Sequence, residues 1–439
     1  MQQQLRLNLA AGLNQLAVRI YVLVVSMVVG AFVGLIAVAF FKVVALSAAW
    51  WSVPLPTSFA EIEWHYSPFV GFALLASALI AGQVLKLLKQ GRPHGPSDLI
   101  ASAQIGEPLD LKSGFVSSFL ALNNLCGAAS VGIFGPLVHL GGCLSRWLQK
   151  SSTKISHDVV LGAGAGAAIA AVFSAPIGAA IYAHEAIIRR FGTFGAGPVL
   201  ACTFGAYWVA NALLGKHRFF SVGDAPILDS RSLLIALALG VAAGLISSIY
   251  IYSVTESPKL SKASHIPLQW QPLLPALLIF LISPLLPHLL GTGMGSVTLA
   301  MQENLALTLV ITLLFSKIVI TTLCLGFRYY GGVFAPALFF GAMLGSLFDL
   351  ALADLGWVQS SSYVALGAAS CIATVIGAPM ASIVIVFEMT GSYEWAVLSM
   401  VSVVVSAQIS RSFVGRSLFD RQLAARGVVM KDDYEAKVN

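Results

Sequence analysis

Long stretches without a charged residue dominate this chain. They cover residues 20–41, 64–85, 113–145, 159–184, 191–215, 232–255, 263–302, 318–327, 329–348, 355–387 and 395–410. A helix that crosses a membrane needs about 20 predominantly apolar residues. The runs are apolar throughout rather than alternating, which argues against the strands of an outer-membrane barrel. The pattern predicts an all-α polytopic membrane protein.

Several of these stretches are too long for one straight helix and are interrupted by glycine and proline. GIFGP occupies residues 132–136, SAP occupies 174–176, and GAP occupies 377–379. A helix can break at membrane depth only where the freed backbone groups find partners inside the protein or in a water-filled cavity. We therefore expect the binding site to lie at these interruptions.

The interruptions recur in an internal repeat. GAGAAIAAVFSAP at 164–176 aligns without gaps with GAASCIATVIGAP at 367–379, and seven of the thirteen positions are identical. Nine residues after the proline, each copy carries a glutamate, Glu185 or Glu388. GIFGP likewise matches GVFAP at 332–336. Chance similarity of Ala/Gly-rich segments is the alternative, but two ordered pairs favour an inverted-repeat transporter or channel with tilted and broken helices.

The repeats divide the chain into five expected segments. These are a cytoplasmic N-terminal segment 1–17, a first membrane repeat 18–215, a connecting loop 216–231, a second membrane repeat 232–425 and a short polar C-terminal tail 426–439. The N-terminus lacks the short apolar run and cleavage site of a signal peptide, so we expect the first helix to be retained. The expected location is the cell membrane, as a multi-pass protein.

Composition excludes several classes of protein. Hydrophobic residues make up 58% of the chain and charged residues only 10%, too few charges to cover a water-soluble surface. The net charge of +6 agrees with Lys- and Arg-rich cytoplasmic loops. The basic residues are scattered, which argues against a nucleic-acid partner. Five cysteines occur singly without a CxxC pair, so we expect packed side chains, no metal site and no cofactor.

The GxFxP pattern suits anion binding. Glycine lets the backbone approach a ligand closely, and proline fits the first turn of a helix, where no N–H partner is needed. The free N–H groups of that turn and the positive end of the helix dipole attract an anion without a fixed positive charge. For one copy, a simple kink packed by its phenylalanine is the better interpretation; a symmetric pair favours an anion site. The first predicted helix start consists of Gly132, Ile133, Phe134, Gly135 and Pro136.

Together these motifs resemble the CLC chloride channels and chloride/proton antiporters. The resemblance covers residues 20–426 and rests on GGVFAPALFFGAMLG at 331–345, GAPMASIVIVFEMTG at 377–391, SAPIGAAIYAHEA at 174–186, GTGMG at 291–295 and the run 317–322. It implies two antiparallel halves and a homodimer in which each subunit has its own anion pathway. It also implies that the backbone N–H groups of Val333 and Phe334 bind the anion.

Four positions depart from the family pattern. Phe134 replaces the glutamate that plugs the pathway and carries protons, and Ala186 replaces the inner proton-transfer glutamate of the antiporters. Pro93 aligns with an anion-binding serine, and Phe419 aligns with an anion-gating tyrosine. The resemblance therefore leaves these anion-binding positions without side-chain oxygens and makes Phe134 the gate residue.

These departures predict passive, proton-uncoupled conduction of chloride or a similar small monovalent anion. Proton coupling needs titratable groups, and neither Phe134 nor Ala186 can titrate. Phe134 is then either a hydrophobic gate or leaves the route open. An antiporter with a different proton route through His184 and Glu185 is the alternative. A membrane enzyme would need a nucleophile or metal cluster, and the sequence offers no HExxH.

Glu185 and Glu388 lie in apolar runs, where an ionised carboxylate is unfavourable unless it faces protein or water. Their symmetric placement favours a structural role, with each carboxylate bonding the start of a neighbouring helix. A role in proton movement remains the other interpretation. The lipid bilayer, a small inorganic anion and a second copy of the chain are the expected partners.

Overall fold

The computed structural model describes residues 2–62, 66–88, 92–148, 155–215, 226–302, 305–355 and 363–428, and these ranges are predominantly helical. The first helices are α1 (Gln2–Trp51), α2 (Pro68–Val84), α3 (Pro96–Ile105), α4 (Leu111–Cys126), α5 (Phe134–Leu148), α6 (His157–Phe173), α7 (Pro176–Tyr182) and α8 (Thr193–Leu214). They are followed by α9 (Ser230–Ala263), α10 (Leu273–Ile282), α11 (Met294–Met301), α12 (Leu307–Gly326), α13 (Phe334–Asp354), α14 (Tyr363–Ile376), α15 (Pro379–Thr390), α16 (Tyr393–Val414) and α17 (Leu418–Ala424).

The helices form two halves with the same order. In the first half α1 packs against α8, α5 against α6, and α6 against α8. In the second half α9 packs against α16, α13 against α14, and α14 against α16. Six helical segments in the described ranges are long and apolar enough to cross a membrane. The predicted fold class, an all-α polytopic membrane protein, is confirmed.

The predicted helix breaks are present. The stretch 113–145 contains the end of α4 and the start of α5, and the stretch 159–184 forms α6 and α7. The backbone reverses between α6 and α7 at Ser174, with φ of 52°, and between α14 and α15 at Gly377, with φ of 73°. Both are left-handed conformations that glycine adopts most easily. A side chain at Gly377 would also meet the Ser417 Cβ at 2.6 Å.

Two of the predicted segment boundaries fall inside helices. Helix α1 is continuous over 50 residues, so the expected boundary between 17 and 18 lies within it. Helix α9 begins at Ser230, two residues inside the expected connecting loop, and the Asp229 carboxylate accepts the Ser232 N–H at 2.8 Å. The hydrogen bond of the Asp229 cap therefore sets where α9 begins. The apolar pattern of the sequence marks only the part of the helix that faces the membrane. Residues 216–225 of the loop and 429–439 of the tail lie outside the described residues.

Pairs of glycines bring the broken helices into close contact. A Cβ on Gly141 of α5 would lie 2.3 Å from the carbonyl oxygen of Gly164 in α6. The equivalent pair in the second half is Gly341 and Gly367, for which the same distance is 2.5 Å. Neither crossing leaves room for a side chain. Small residues thus let these backbones approach, as is common between membrane helices.

Candidate anion pathway

The starts of α5 and α13 meet at the centre of the molecule. The Gly132 N–H donates to the Gly332 carbonyl at 2.7 Å, and the Gly332 N–H donates to the Gly132 carbonyl at 2.6 Å. This antiparallel bridge joins equivalent positions of the two halves. A Cβ on either glycine would come within 2.7 Å of backbone atoms of the opposite start. Only glycine at both positions allows the two helix starts to be this close.

Backbone donors remain unused on both sides of the bridge. The N–H groups of Ile133 and Val333 find no acceptor within the described ranges. The first N–H groups of a helix also have no intrahelical partner, and Pro136 and Pro336 carry no N–H. Each start therefore presents a few free donors together with the positive end of a helix dipole. Chemically, such an arrangement can bind a small anion.

Three phenylalanine rings pack together at this point, and we call them the central aromatic cluster. The ring of Phe134 stacks on Phe173 with centroids 4.4 Å apart and meets the edge of Phe334 at 4.9 Å. Phe173 and Phe334 are 5.1 Å apart. All three side chains are buried. Phe173 was not among the residues predicted from the sequence, although its position just before the SAP break of the repeat was an available signal.

The central aromatic cluster separates two cavities of different size. A cavity of about 480 Å³ lies between α1 and α11 and reaches Ile133 and Phe134. A cavity of about 10 Å³ lies against Phe173 and Phe334 and is closed by α14 and α15. A single water molecule needs roughly 10–15 Å³ by such a measure. The cavity beside Phe173 and Phe334 therefore has no room for a hydrated anion.

The segment before α3 offers no backbone donor to an anion. Pro93 has no N–H, and the N–H groups of His94 and Gly95 donate to the Ser117 hydroxyl at 2.8 Å and to the Asp98 carboxylate at 2.9 Å. Pro93 was expected at an anion-binding position. Pro93 therefore contributes only apolar surface at this position.

Asp98 instead anchors the end of the chain to α3. Its carboxylate pairs with Arg92 at 2.7 Å and with Arg426 at 2.8 Å. Burial opposes the charge, but the hydrogen bond from Arg92 and the two guanidinium charges hold the pKa of Asp98 well below its usual range. The carboxylate also occupies the Gly95 N–H, which is therefore not available to an anion.

Phe419 lies in α17 and is buried in the main hydrophobic core. The ring contacts found in the described ranges do not connect it with the central aromatic cluster. Its side chain has no polar atom. Of the four expected anion-binding positions, Val333 and Phe334 lie at one helix start, while Pro93 has no N–H and Phe419 has no polar side-chain atom.

Each half of the molecule caps a helix of the other half. The Glu185 carboxylate accepts the N–H groups of Met380 at 3.0 Å and Ala381 at 2.8 Å, at the start of α15. The Glu388 carboxylate accepts the Ile177 N–H at 3.1 Å and the Gly178 N–H at 2.7 Å, at the start of α7. A carboxylate at a helix start satisfies free donors and interacts favourably with the dipole. Next to Glu185, the methyl group of Ala186 is buried.

A buried lysine lies close to the paired helix starts. The Lys317 amine on α12 donates to the Ser130 hydroxyl at 2.9 Å and to the Gly291 carbonyl at 3.0 Å. It also lies 5.1 Å from the centre of the Phe339 ring. The predicted attraction of an anion without a fixed positive charge stays a prediction. Lys317 ties α12 to the turn two residues before Gly132, and its isolation within an apolar helix was the available signal for this contact.

The described ranges offer no site for a metal. They contain no group of three or more His, Cys, Asp or Glu side chains that could hold an ion. The five cysteines are unpaired, and four of them are buried among apolar helices. The nearest polar contact of Cys143 is the His139 Nδ1 at 3.8 Å.

Comparison with known proteins agrees with this architecture. The family model described as voltage gated chloride channel matches residues 77–411. The voltage-gated ClC-type chloride channel ClcB of Escherichia coli O81 (strain ED1a) is 24% identical over 365 residues, which cover 82% of this chain and 86% of that protein. The structure of a slow cyanobacterial Cl-/H+ antiporter matches with a TM-score of 0.78 at 20% identity, over 94% of this chain and 99% of the other.

A CLC-type fluoride/proton antiporter matches with a TM-score of 0.74 at 21% identity, over 92% of this chain and 97% of the other. These structural matches establish the inverted-repeat fold of tilted and broken helices. The family match spans most of the chain, including both GxFxP starts and the helix breaks of each half. The chain therefore belongs to the voltage-gated chloride channel family and is a multi-pass membrane protein with the CLC fold.

Proposed function

We propose that the protein conducts chloride, or a similar small monovalent anion, passively and without proton coupling. The observation that carries the proposal is the central aromatic cluster at the meeting point of the two helix starts. Phenyl rings do not titrate. Among the described residues that line the small cavity, none has a group that titrates near neutral pH. A proton-coupled exchanger needs such groups along an internal relay.

The anion is bound by backbone N–H groups at the starts of α5 and α13. Ile133 and Val333 provide donors without a partner in the described ranges, and Phe134 and Phe334 provide the first helical N–H groups. Neutral donors hold an anion more weakly than a buried guanidinium would, and weak binding allows rapid release. The nearby Lys317 amine is held at Ser130 and Gly291 by its own hydrogen bonds and makes no hydrogen bond to either helix start within the described ranges.

The central aromatic cluster is the gate. Narrow apolar constrictions stop ions because water leaves them, and an ion cannot pass without its water or substitute ligands. Conduction therefore requires the rings of Phe134, Phe173 and Phe334 to separate. Because no member of the cluster is ionisable, the gate responds to packing and not to protonation of its own side chains.

The inner half of the route also favours uncoupled conduction. Ala186 has no titratable group, and both oxygens of the neighbouring Glu185 accept backbone N–H groups. Because both carboxylate oxygens are occupied at the start of α15, the contacts of Glu185 favour a capping role over a proton relay. The competing proposal is coupled exchange through His184 and Glu185. Two proteins that share the fold are described as proton antiporters, and the His184 Nε2 has no partner within the described ranges.

Anion flux from reconstituted liposomes, with proton movement recorded at the same time, tests the proposal. Chloride efflux should proceed once a potassium ionophore removes the charge imbalance, and protons should not move against their gradient. Protein-free liposomes provide the background. Separate liposomes loaded with fluoride or nitrate identify the preferred anion. A fixed chloride-to-proton ratio with protons driven uphill would contradict uncoupled conduction and support the antiporter.

A further inference from the structure

A cavity of about 870 Å³ lies away from the proposed anion pathway, between α1, the start of α6, the π-helical turn Ala183–Ile188 after α7, and the start of α8. One part of its wall is aliphatic and includes Val22, Leu23 and Ile188. The other part carries the basic side chains of Arg19, His184 and Arg190. The cavity thus has a cationic and an apolar side, which suits an amphipathic anion.

The cationic side has unused hydrogen-bonding capacity. Arg19 makes no hydrogen bond or ion pair in the described part of the chain, and its side chain is exposed. Arg190 pairs with Asp158 at 2.5 Å and remains largely exposed. Asp158 is the carboxylate that faces this group, and it balances only one of the two arginines. A bound anion would therefore meet a net positive charge.

His184 contributes a buried polar atom to the same place. The residue is only 7% exposed, and its Nδ1 lies 2.9 Å from the Arg190 carbonyl oxygen. Its Nε2 is buried and has no partner among the described residues. The Cε1 between the two nitrogens lies 3.5 Å from the position that a Cβ on Gly195 would occupy, so this ring edge faces the first turn of α8.

The start of α8 adds backbone donors. The helix has 22 residues and begins after Gly192, with no side chain capping its first turn. Its dipole places partial positive charge at this end, where free N–H groups bind phosphate well. The uncapped start and the unpartnered His184 nitrogen are independent observations that point to one ligand, an anion at this end of the cavity.

The depth of the two arginines indicates where the anion comes from. Arg19 immediately precedes the charge-free stretch 20–41, and Arg190 immediately precedes the charge-free stretch 191–215. Both therefore lie where membrane-spanning segments begin, at the level of lipid headgroups. Excess Lys and Arg at such ends marks the cytoplasmic side, whose leaflet carries anionic lipids. The aliphatic wall continues from this level toward the hydrocarbon.

We propose that this cavity binds an anionic phospholipid of the cytoplasmic leaflet. Its phosphate is held by Arg19, Arg190 and the start of α8. His184 joins them as the imidazolium, in which Nε2–H donates to the phosphate while Nδ1–H donates to the Arg190 carbonyl. The first part of an acyl chain lies along Val22, Leu23 and Ile188. A soluble phosphate would use the same basic groups but would leave the aliphatic wall uncovered. The apolar half of the cavity therefore favours the lipid.

Native mass spectrometry of the full-length protein in detergent, with phosphatidylglycerol or phosphatidylcholine added at equal concentration, tests the site. Phosphatidylglycerol should remain bound and phosphatidylcholine should not. Arg19→Gln should weaken phosphatidylglycerol binding about tenfold, since it removes a charge-assisted contact. Arg19 is exposed and unpaired, so this variant should fold normally. Arg411→Gln, which removes an exposed arginine from the end of α16 outside the cavity, should bind like the unmodified protein.

A second arm adds soluble glycerol phosphate as a competitor. It should displace the lipid only at far higher concentration, because it lacks acyl chains. Displacement at equal concentration would assign the site to a soluble phosphate and overturn the lipid proposal. Equal binding of both lipids, or unchanged binding by Arg19→Gln, would overturn the site itself.

His184→Phe, which keeps the ring beside Phe191 but removes both nitrogens, should also weaken phosphatidylglycerol binding.

Discussion

A phenylalanine at position 134 changes what the start of α5 can do to an anion. An ionised glutamate there would compete with the anion and would withdraw when protonated. The Phe134 ring instead packs against Phe173 and Phe334 and borders the 480 Å³ cavity. In the proposed pathway its effect on flux is therefore steric, through the width and wetting of the constriction.

Two substitutions of Phe134 separate steric closure from titration. Phe134→Ala should raise anion flux severalfold, because the constriction widens, and the flux should stay independent of external pH. Phe134→Glu should make flux rise as external pH falls, since a carboxyl with an ordinary pKa of about 4.3 blocks when ionised and withdraws when protonated. Liposome flux measured at several external pH values checks both. Phe134→Glu should not restore proton coupling, because Ala186 still interrupts the inner relay.

The exposed Phe204→Ala on α8 is the matched control, since it removes a phenyl ring outside the central aromatic cluster. It should leave flux unchanged. Flux through Phe134→Ala equal to that of the unmodified protein would place the ring outside the pathway. If flux through Phe134→Glu does not change with external pH, the position assigned to the α5 start in the pathway is wrong.

At the scale of the helices, reciprocal capping connects the two halves. Glu185 of the first half accepts N–H groups at the start of α15, and Glu388 of the second half does the same for α7. The two caps have nearly the same geometry. They differ in the next residue: Glu185 is followed by Ala186, which the family resemblance aligns with a second glutamate of the antiporters, and Glu388 has no such neighbour. The two carboxylates can therefore serve as controls for each other.

Glu185→Gln and Glu388→Gln should lower thermal stability by similar amounts. Each replacement removes the negative charge at a helix start, and lost caps typically cost about 1 kcal/mol. Thermal unfolding of the purified protein in detergent measures the change. Neither variant should alter proton movement in the liposome assay. A change of proton movement in Glu185→Gln that is absent from Glu388→Gln would favour a proton route through Glu185 over a structural role.

Local chemistry explains which elements the sequence could predict. The breaks at SAP and GAP and the helix starts of both GxFxP motifs follow from glycine and proline, which act on their own backbone. The contacts of Phe173 and Lys317 could not be predicted from their local sequence. Phe173 meets Phe334, and Lys317 meets Ser130, across more than 150 residues of chain, so these contacts exist only after the two halves have packed.

The extent of α1 and the hydrogen bonds near Pro93 do not follow from the apolar pattern either. The apolar pattern marks the part of α1 that faces lipid, and a helix can continue beyond the membrane without changing that pattern. The hydrogen bonds that occupy His94 and Gly95 depend on Ser117 from another helix and on Asp98 at a capping position. Sequence position alone shows which residues carry N–H groups but not which of those groups remain free.

At the scale of the whole molecule, the α7 and α15 face needs a covering surface. These helices have 7 and 12 residues, fewer than the roughly 20 that cross a bilayer, so their starts lie within the membrane. Ile177 and Met380 are 55% and 56% exposed there, beside the half-buried Glu388 and Glu185 carboxylates. Against lipid, these half-buried carboxylates would face hydrocarbon, whereas a second copy of the same face can shield them.

We therefore expect a homodimer joined through this face, with twice the 46.2 kDa mass of one chain. Ile177→Lys should shift the purified protein toward monomer, because two ammonium groups would be brought together at the symmetric contact. Leu75→Lys on α2 is the matched control: it places the same charge at an equally exposed apolar position outside this face, and it should remain dimeric. Light scattering of the detergent-solubilised protein measures the mass. Monomeric unmodified protein would contradict the dimer, and dimeric Ile177→Lys would show that the subunits join through another face.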